Sequence, residues 1–458
     1  MTGLVIELPG KVKQIIDILQ ENGYEAYAVG GCVRDAILGR KPQDWDITTS
    51  ALPEQVKALF HRTVDTGIQH GTVTVLLGKE GFEVTTYRVD GKYEDGRHPT
   101  EVSFTASLTE DLKRRDFTIN AMAYNETEGL VDLFCGAGDL KHGLIRCVGT
   151  AKERFSEDAL RILRAFRFSA QLDFSIEEET LRAAEELAGN LQKISVERIY
   201  AELVKLVVSE HPERLFSAYE RGITSVILPE FDRMCKTPQH HAAHYADVGR
   251  HSLDTVCFAQ KRSAYAEDGG FGAEEFRRLR LAALFHDLGK PDCRTTDTAG
   301  VDHFHGHAER GAELAKKILR RLKTDNATAD TVSRLVRWHD YPFVPEERAL
   351  RRAMYKIGTD IFPMLFELRQ ADLLAHAEPY HTDGPENLRK VWEVFLAVKS
   401  REECTSLKEL AVNGSDLIAE GFRPGKELGE ILERLLMIVI ETPEKNTKKE
   451  LLRLAKEL

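Results

Sequence analysis

Apolar and polar positions along the first 145 residues switch repeatedly between two periods. Residues 11–23 (KVKQIIDILQENG) carry apolar side chains at helical spacing and stop at a glycine, which predicts an amphipathic helix. Runs with strand character follow at Tyr24–Val29, Trp45–Thr48, Thr72–Leu77 and Phe82–Tyr87. Helical patterns are interspersed at Arg34–Leu38, Pro53–Phe60 and Leu112–Ala123. From Ala151 to Glu230 the pattern is almost wholly helical, and near Thr237 it turns polar and turn-rich. A Gly/Pro-containing stretch, Gly414–Gly429, leads into a helical Lys/Glu-rich end. The expected fold class is multidomain α+β: a small mixed α/β head (1–147), then mostly α-helical segments at 148–236, 237–380 and 381–458.

Composition narrows the setting. A chain of 458 residues exceeds one ordinary hydrophobic core, and 42% hydrophobic with 30% charged residues is a globular balance. The cysteines (Cys32, Cys135, Cys147, Cys235, Cys257, Cys293, Cys404) form no CxxC pair, which predicts a reduced compartment. The opening MTGLVIELPGKVKQ has no apolar run of signal-peptide or membrane length, so a cytoplasmic protein with no membrane partner is expected. A net charge of −11 argues against a general nucleic-acid coat. It leaves room for local basic patches, with Lys113–Arg114–Arg115 and the arginines from Arg161 to Arg167 as candidates.

The densest chemistry lies in residues 29–50, VGGCVRDAILGRKPQDWDITTS. Gly30 and Gly31 allow backbone to approach a ligand closely. Arg34 and Asp35 would open a short helix that points amides and a cation at one place. On a strand Asp44–Thr48, Asp44 and Asp46 would share one face and Trp45 the other. Glu83, in the strand pattern FEVTTYR, offers a third carboxylate. Such carboxylates can hold Mg²⁺ for nucleotidyl transfer.

Two further motifs follow. In RRDFTINAMAY (Arg114–Tyr124), Arg114 and Arg115 can donate to phosphate oxygens. Asp116 and Asn120, four apart on the expected helix, can bond a ribose hydroxyl. In EDALRILRAFRF (Glu157–Phe168), Asp158, Arg161, Arg164 and Arg167 recur every three residues. They form a polar stripe opposite Ala159, Ile162, Leu163 and Phe166. A carboxylate and a guanidinium together match the edge of cytosine or adenine and mismatch guanine and uracil.

These three motifs, in this order and spacing, resemble the tRNA nucleotidyltransferase and bacterial poly(A) polymerase family over at least residues 24–235. The resemblance implies a Mg²⁺-dependent, template-independent enzyme that uses CTP and ATP, with tRNA as partner through its acceptor end and elbow. Gly31, Arg34 and Arg115 would hold the triphosphate, with Asp116 and Asn120 at the sugar. Asp158, Arg161, Arg164 and Arg167 would select the base. Val89–Leu112 reads as a mobile loop of the full length found in family members that add the terminal A. The segment LAVNGSDLIAEGFRPGKELGEILERLL resembles the family's C-terminal, elbow-contacting tail.

Nine of the sixteen histidines fall between His240 and His339, marking a separate chemical unit. His286–Asp287, at the end of an apolar helix, can grip one metal from two sides. With His251, His307, His339 and Asp372 the set resembles the HD phosphohydrolase superfamily. That resemblance implies divalent metal and phosphoester hydrolysis. His303 and His305 match no motif. The function expected is CCA addition and repair at tRNA 3′ ends with a second, hydrolytic activity. The alternatives are a poly(A) polymerase, or a CC- or A-only adding enzyme, on the same scaffold, and an HD-type phosphohydrolase with an inactive head.

Overall fold

The computed structural model describes residues 4–91, 102–240, 246–266, 268–377 and 380–458. The chain divides into two compact units, Met1–Pro229 and Glu230–Leu458.

The first unit opens with α1 (Gly10–Glu21), whose Val12, Ile15, Ile16 and Leu19 are buried along one face. A mixed sheet follows, built from β1 (Ala26–Val29), β2 (Ile47–Thr49), β3 (Thr63–Gly67), β4 (Thr72–Leu77) and β5 (Glu80–Thr86). A separate antiparallel pair, β6 (Arg88–Asp90) and β7 (Val102–Phe104), precedes the last sheet strands, β8 (Met122–Asn125) and β9 (Gly129–Asp132). The seven-stranded order is β3-β4-β5-β2-β1-β8-β9. The β2–β5 pair is parallel and β1 is antiparallel to both its neighbours. The helices of this region are α2 (Gly31–Ile37), α3 (Pro53–Leu59), α4 (Leu108–Lys113) and α5 (Gly136–His142). Then come α6 (Ala151–Glu157), α7 (Leu160–Leu172), α8 (Glu178–Leu187) and α9 (Val196–Val207). Shorter helices α10 (Leu215–Glu220) and α11 (Thr224–Ile227) follow, and α12 (Pro229–Cys235) starts at the last residue of this unit and continues into the next.

The head and its helical continuation match the expected class, with local differences. The extended run carrying the acidic pair forms a ladder only over Ile47–Thr49, so Asp44 and Asp46 immediately precede β2. The chain is already extended there, because the Asp46 carbonyl accepts from the Val29 amide at 3.0 Å. The short helix begins at Gly31 rather than Arg34. The helix expected over Leu112–Ala123 breaks into α4, a 3-10 turn (Thr118–Asn120) and β8. Tertiary pairing overrides the helical pattern: the Thr118 amide donates to Arg146, the Val148 amide donates to Asp116, and β8 joins β1. Its residues are buried on both faces, a pattern that periodicity alone does not assign. The expected loop Val89–Leu112 is partly ordered as β6, β7 and α4, while residues 92–101 lie outside the described residues.

The second unit is helical. It comprises α13 (Val248–Phe258), α14 (Ala273–Phe285), α15 (Lys290–Cys293), α16 (His307–Arg321), α17 (Asn326–Trp338), α18 (Glu347–Ile357) and α19 (Phe362–Leu374). A hairpin of β10 (Thr295–Thr296) and β11 (Asp302–His303) interrupts them. Beyond lie α20 (Tyr380–Ser400), α21 (Gly414–Ala419), α22 (Lys426–Glu441) and α23 (Lys448–Ala455). The last three bury their own small core, including Leu417, Leu435, Leu436, Val439 and Leu451. Among the described residues, no helix is long and apolar enough to cross a membrane. All seven cysteines are free.

Candidate active site and a buried histidine cluster

The turn between β1 and α2 forms the floor of the first site. Gly30 has φ 82°, and a Cβ there would meet an Arg115 guanidinium nitrogen at 2.9 Å. The positive φ is what calls for glycine, and any side chain there would also displace the Arg115 guanidinium. Asp44 and Asp46 are exposed and Trp45 is half-buried, so alternation survives outside the regular ladder. The parallel register Ile47↔Val84 carries Glu83 alongside Asp46, and the pleat leaves Glu83 exposed while Phe82 and Val84 are buried. Partial desolvation lifts the Asp46 carboxyl above its usual range, opposed by Arg115 and reinforced by the charges of Glu83 and Asp44. This local excess of negative charge suits a divalent cation.

Arg34 is buried and fixed in direction. Its Nε donates to Asp35 at 2.9 Å and its terminal nitrogen to the Asn120 side-chain oxygen at 2.7 Å. Asn120 in turn donates to Asp116 at 3.1 Å, although both sit in a loop and 3-10 turn rather than on a helix face. Arg164 from α7 donates to the other Asp116 oxygen at 2.7 Å. Burial alone would raise the Asp116 carboxyl, yet Arg164 and Arg161 hold it down at about 2. A continuous chain of bonds thus runs from α2 to α7.

Asp158 lies at the α6–α7 junction, two positions before α7 rather than on the helical stripe expected of it, and accepts from the Leu160 amide at 3.0 Å. Its other oxygen accepts from Arg198 of α9 at 2.7 Å. Arg161 donates to Glu157 at 2.6 Å and to the Arg114 carbonyl at 3.0 Å. Ala159, Ile162, Leu163 and Phe166 are buried as expected. Arg167 pairs with buried Glu202 at 2.7 Å and lies 4.0 Å from the Phe168 ring centre. Arg34 and Arg164 approach the same ring at 5.1 and 5.4 Å.

A cleft of ≈ 600 Å³ joins part of this set: Gly31, Arg34, Asp44 and Asp46 share its lining with Arg167 and Phe168, whereas Glu83, Arg115, Asp116, Asn120, Asp158, Arg161 and Arg164 are not among its lining residues. Arg40, Lys41 and Lys205 add positive charge that the motif reading did not single out. One expected donor is differently employed: Arg114 places two nitrogens on the buried Asp111 carboxylate, at 3.0 and 2.7 Å.

The head and the segment behind it match known proteins. Residues 26–146 match the family model "Poly A polymerase head domain" and residues 173–235 "Probable RNA and SrmB- binding site of polymerase A". Residues 305–455 match a model for tRNA nucleotidyltransferase domain 2. The CCA-adding enzyme of Streptococcus thermophilus is 35% identical over 438 residues, 95% of this chain and 94% of that one. That of Enterococcus faecalis is 35% identical over 98% of this chain and 97% of its own. The chain belongs to the CCA-adding enzyme family. CCA-adding enzymes are nucleotidyltransferases. A structure of the Bacillus stearothermophilus CCA-adding enzyme in complex with CTP aligns with a TM-score of 0.72 at 30% identity, covering 99% of this chain and 98% of that one. A Thermotoga maritima CCA-adding enzyme complexed with tRNA shares the fold at a TM-score of 0.60 and 22% identity.

The second unit holds a different cluster. His251 (α13), His286 and Asp287 (end of α14), His307 (start of α16), His339 (end of α17) and Asp372 (α19) converge. Their ligand atoms, together with one from His376, fall into trios within 4.8 Å. Among the described residues the head carboxylates form no such trio. The Nδ1 atoms of His286, His307, His339 and His376 donate to the carbonyls of Ala283, Phe304, Val336 and Asp372 at 2.7–2.8 Å. A carbonyl only accepts, so Nδ1 keeps its proton and the Nε2 of each ring faces inward, with a lone pair whenever the ring is neutral. Nε2 of His307 and His339 lie 3.3 Å apart, and Nε2 of His251 is 3.1 Å from Asp372. Nε2 of His286 is buried without a hydrogen-bond partner. Inward-facing lone pairs, with outer nitrogens fixed by carbonyls, are the arrangement of metal-binding imidazoles. Sequence reading missed His376, one helical turn past Asp372, and Lys290, whose Nζ lies 2.7 Å from Asp287.

Proposed function

We propose that the head adds and repairs the 3′-terminal CCA of tRNA from CTP and ATP without a nucleic-acid template. The observation that carries this is a cleft lined by both the DxD acids and Arg167 and Phe168 of α7. Asp44 and Asp46, with Glu83, are the residues that would hold Mg²⁺. That cation would activate the attacking hydroxyl and offset charge on the departing pyrophosphate. Gly31 leaves room for a phosphate at the start of α2, and Arg34 and Arg115 supply its counter-charge. Asp116 and Asn120 receive the ribose. Asp158 and Arg161 turn from Arg198 and Glu157 to the base edge, while Arg164 and Arg167 fix the ring's position. The 3′-hydroxyl of tRNA attacks the α-phosphate and pyrophosphate leaves. The division at 1–147, 148–236, 237–380 and 381–458 assigns these roles to a head and a neck, and gives tRNA-elbow contact to the tail. The Val89–Leu112 segment supports addition of the final A.

The test uses tRNAs lacking CCA, ending in C, or ending in CC, each with one nucleotide. Two C additions and a single A support this reading; a ladder of A residues on a CC end supports a poly(A) polymerase instead.

A second activity is favoured by the inward-facing imidazoles: a divalent-metal phosphohydrolase centre at His251, His286, Asp287, His307, His339 and Asp372. The bound metal would lower the pKa of a water for attack on a phosphoester. The four carbonyl-anchored rings, His286, His307, His339 and His376, keep their Nε2 atoms aimed inward before any ion arrives. Hydrolysis of phosphomonoesters or 2′,3′-cyclic phosphates, lost in Asp287→Ala, is the test.

A further inference from the structure

Asp111 is a carboxylate with no solvent exposure, in the last turn of α4. Four groups from three parts of the head converge on it. One oxygen takes two donors from Arg114, at 3.0 and 2.7 Å, and the Arg88 amide at 3.4 Å. The other takes an Arg115 nitrogen at 3.4 Å and the Thr48 hydroxyl at 3.3 Å. Thr48 belongs to β2, two residues after Asp46, and Arg88 begins β6, the root of the segment that continues through β7. Burial opposes ionisation of Asp111, and the two guanidiniums outweigh it, so the carboxyl titrates below its ordinary range.

Arg115 is the member with a function to serve. One of its nitrogens occupies the space where a Gly30 side chain would be, and its charge acts on Asp46. Its Nε is buried without a hydrogen-bond partner, so the contact with Asp111 is what orients the guanidinium plane among the described residues. Arg114, by contrast, is turned onto Asp111, so the single carboxylate faces two guanidinium charges.

We propose that Asp111 is a positioning residue for nucleotide binding, which aims Arg115 at the Gly30–Gly31 turn and ties it to β2, the strand that directly follows Asp46. This rests on the assignment of Arg115 to the triphosphate. The carboxylate touches no substrate; it acts through Arg115. Both nucleotides share the triphosphate, so the effect is the same for CTP and ATP and absent for tRNA.

The experiment is a double-mutant cycle in the full chain, with KM and kcat measured separately for CTP, ATP and tRNA. Asp111→Asn is expected to raise both nucleotide KM values roughly tenfold while kcat and the tRNA KM change less than about threefold. Arg115→Ala raises the same KM values at least as much, and adding Asp111→Asn to it changes them by less than about twofold. Asp111→Glu keeps the charge that Arg114 and Arg115 need but displaces it, so a folded variant is available with a smaller KM rise in the same direction. Unchanged nucleotide KM values in both Asp111 variants, or multiplicative effects in the double variant, overturn the inference while leaving Arg115's role intact. An Arg115→Ala enzyme with unchanged nucleotide KM overturns the assignment of Arg115 itself, and the inference with it.

Discussion

The head site and the histidine cluster are both built from carboxylates and cations, yet one is open and the other closed. Asp44 and Asp46 are exposed on the rim of a cleft, and Glu83 is exposed on the neighbouring strand. His251, His286, Asp287, His339 and Asp372 are buried, and their inward atoms face one another. An exposed acidic rim with separated ligands suits an ion that arrives and leaves with a substrate's phosphates. A buried cage of preset imidazoles suits an ion that stays. Burial also explains the different electrostatics. Asp46 is raised, first by desolvation, with like charges beside it. Asp287 and Asp372 are held well below the usual carboxylate range despite burial, because imidazoles and cations surround them.

The largest effect that sharpens this contrast is at the rim. Replacing Asp44 or Asp46 by Ala is expected to lower nucleotide incorporation by roughly three orders of magnitude or more while leaving the melting temperature nearly unchanged, since exposed groups contribute little to folding. Incorporation by either variant within about tenfold of the parent would break the assignment. In the cage the opposite balance holds. Asp287→Ala is expected to abolish phosphoester hydrolysis and lose a tightly held metal ion, read by elemental analysis after gel filtration in metal-free buffer. Incorporation of CTP and ATP should stay within about twofold of the parent. Retained metal in that variant would remove Asp287 from the ligand set.

A smaller effect belongs to selection. Asp158→Ala removes a carboxylate complementary to an exocyclic amine and should relax discrimination against UTP by roughly 10- to 100-fold, the scale of one lost base-edge contact. The ratio of kcat/KM for CTP and UTP reads this, and an unchanged ratio contradicts the role. The smallest effect is acid sensitivity. Asp116 titrates at about 2 when folded, below its ordinary unfolded value. Its depressed pKa therefore adds stability that is fully present above about pH 4 and is lost as pH falls through about 2, on the order of 2 kcal/mol. Denaturant unfolding followed between pH 5 and 2.5 should show a steeper loss for the parent than for Asp116→Asn.

Much of the head was legible because glycine turns, alternating strands and paired acids are local signals. The Thr72–Leu77 strand and the buried face of α7 follow from such patterns. The misread segment, Leu112–Ala123, shows the limit: its apolar residues are buried all round, and pairing with Arg146 and β1 decides its conformation. The Asp111 junction was invisible for the same reason, since Thr48, Arg88 and Arg115 meet only once the sheet forms. The set proposed as HD ligands was legible from a resemblance in order, whereas His376 and Lys290 join it through offsets of four and three from Asp372 and Asp287.

The central claim is that one protein site chooses C, then C, then A. The direct measurement supplies a tRNA lacking CCA with CTP alone, then the CC-ending product with ATP alone, and sizes the products at nucleotide resolution. The account predicts two additions, then one, with none from GTP or UTP. A ladder of adenosines on the CC end, or no growth with CTP, would contradict it.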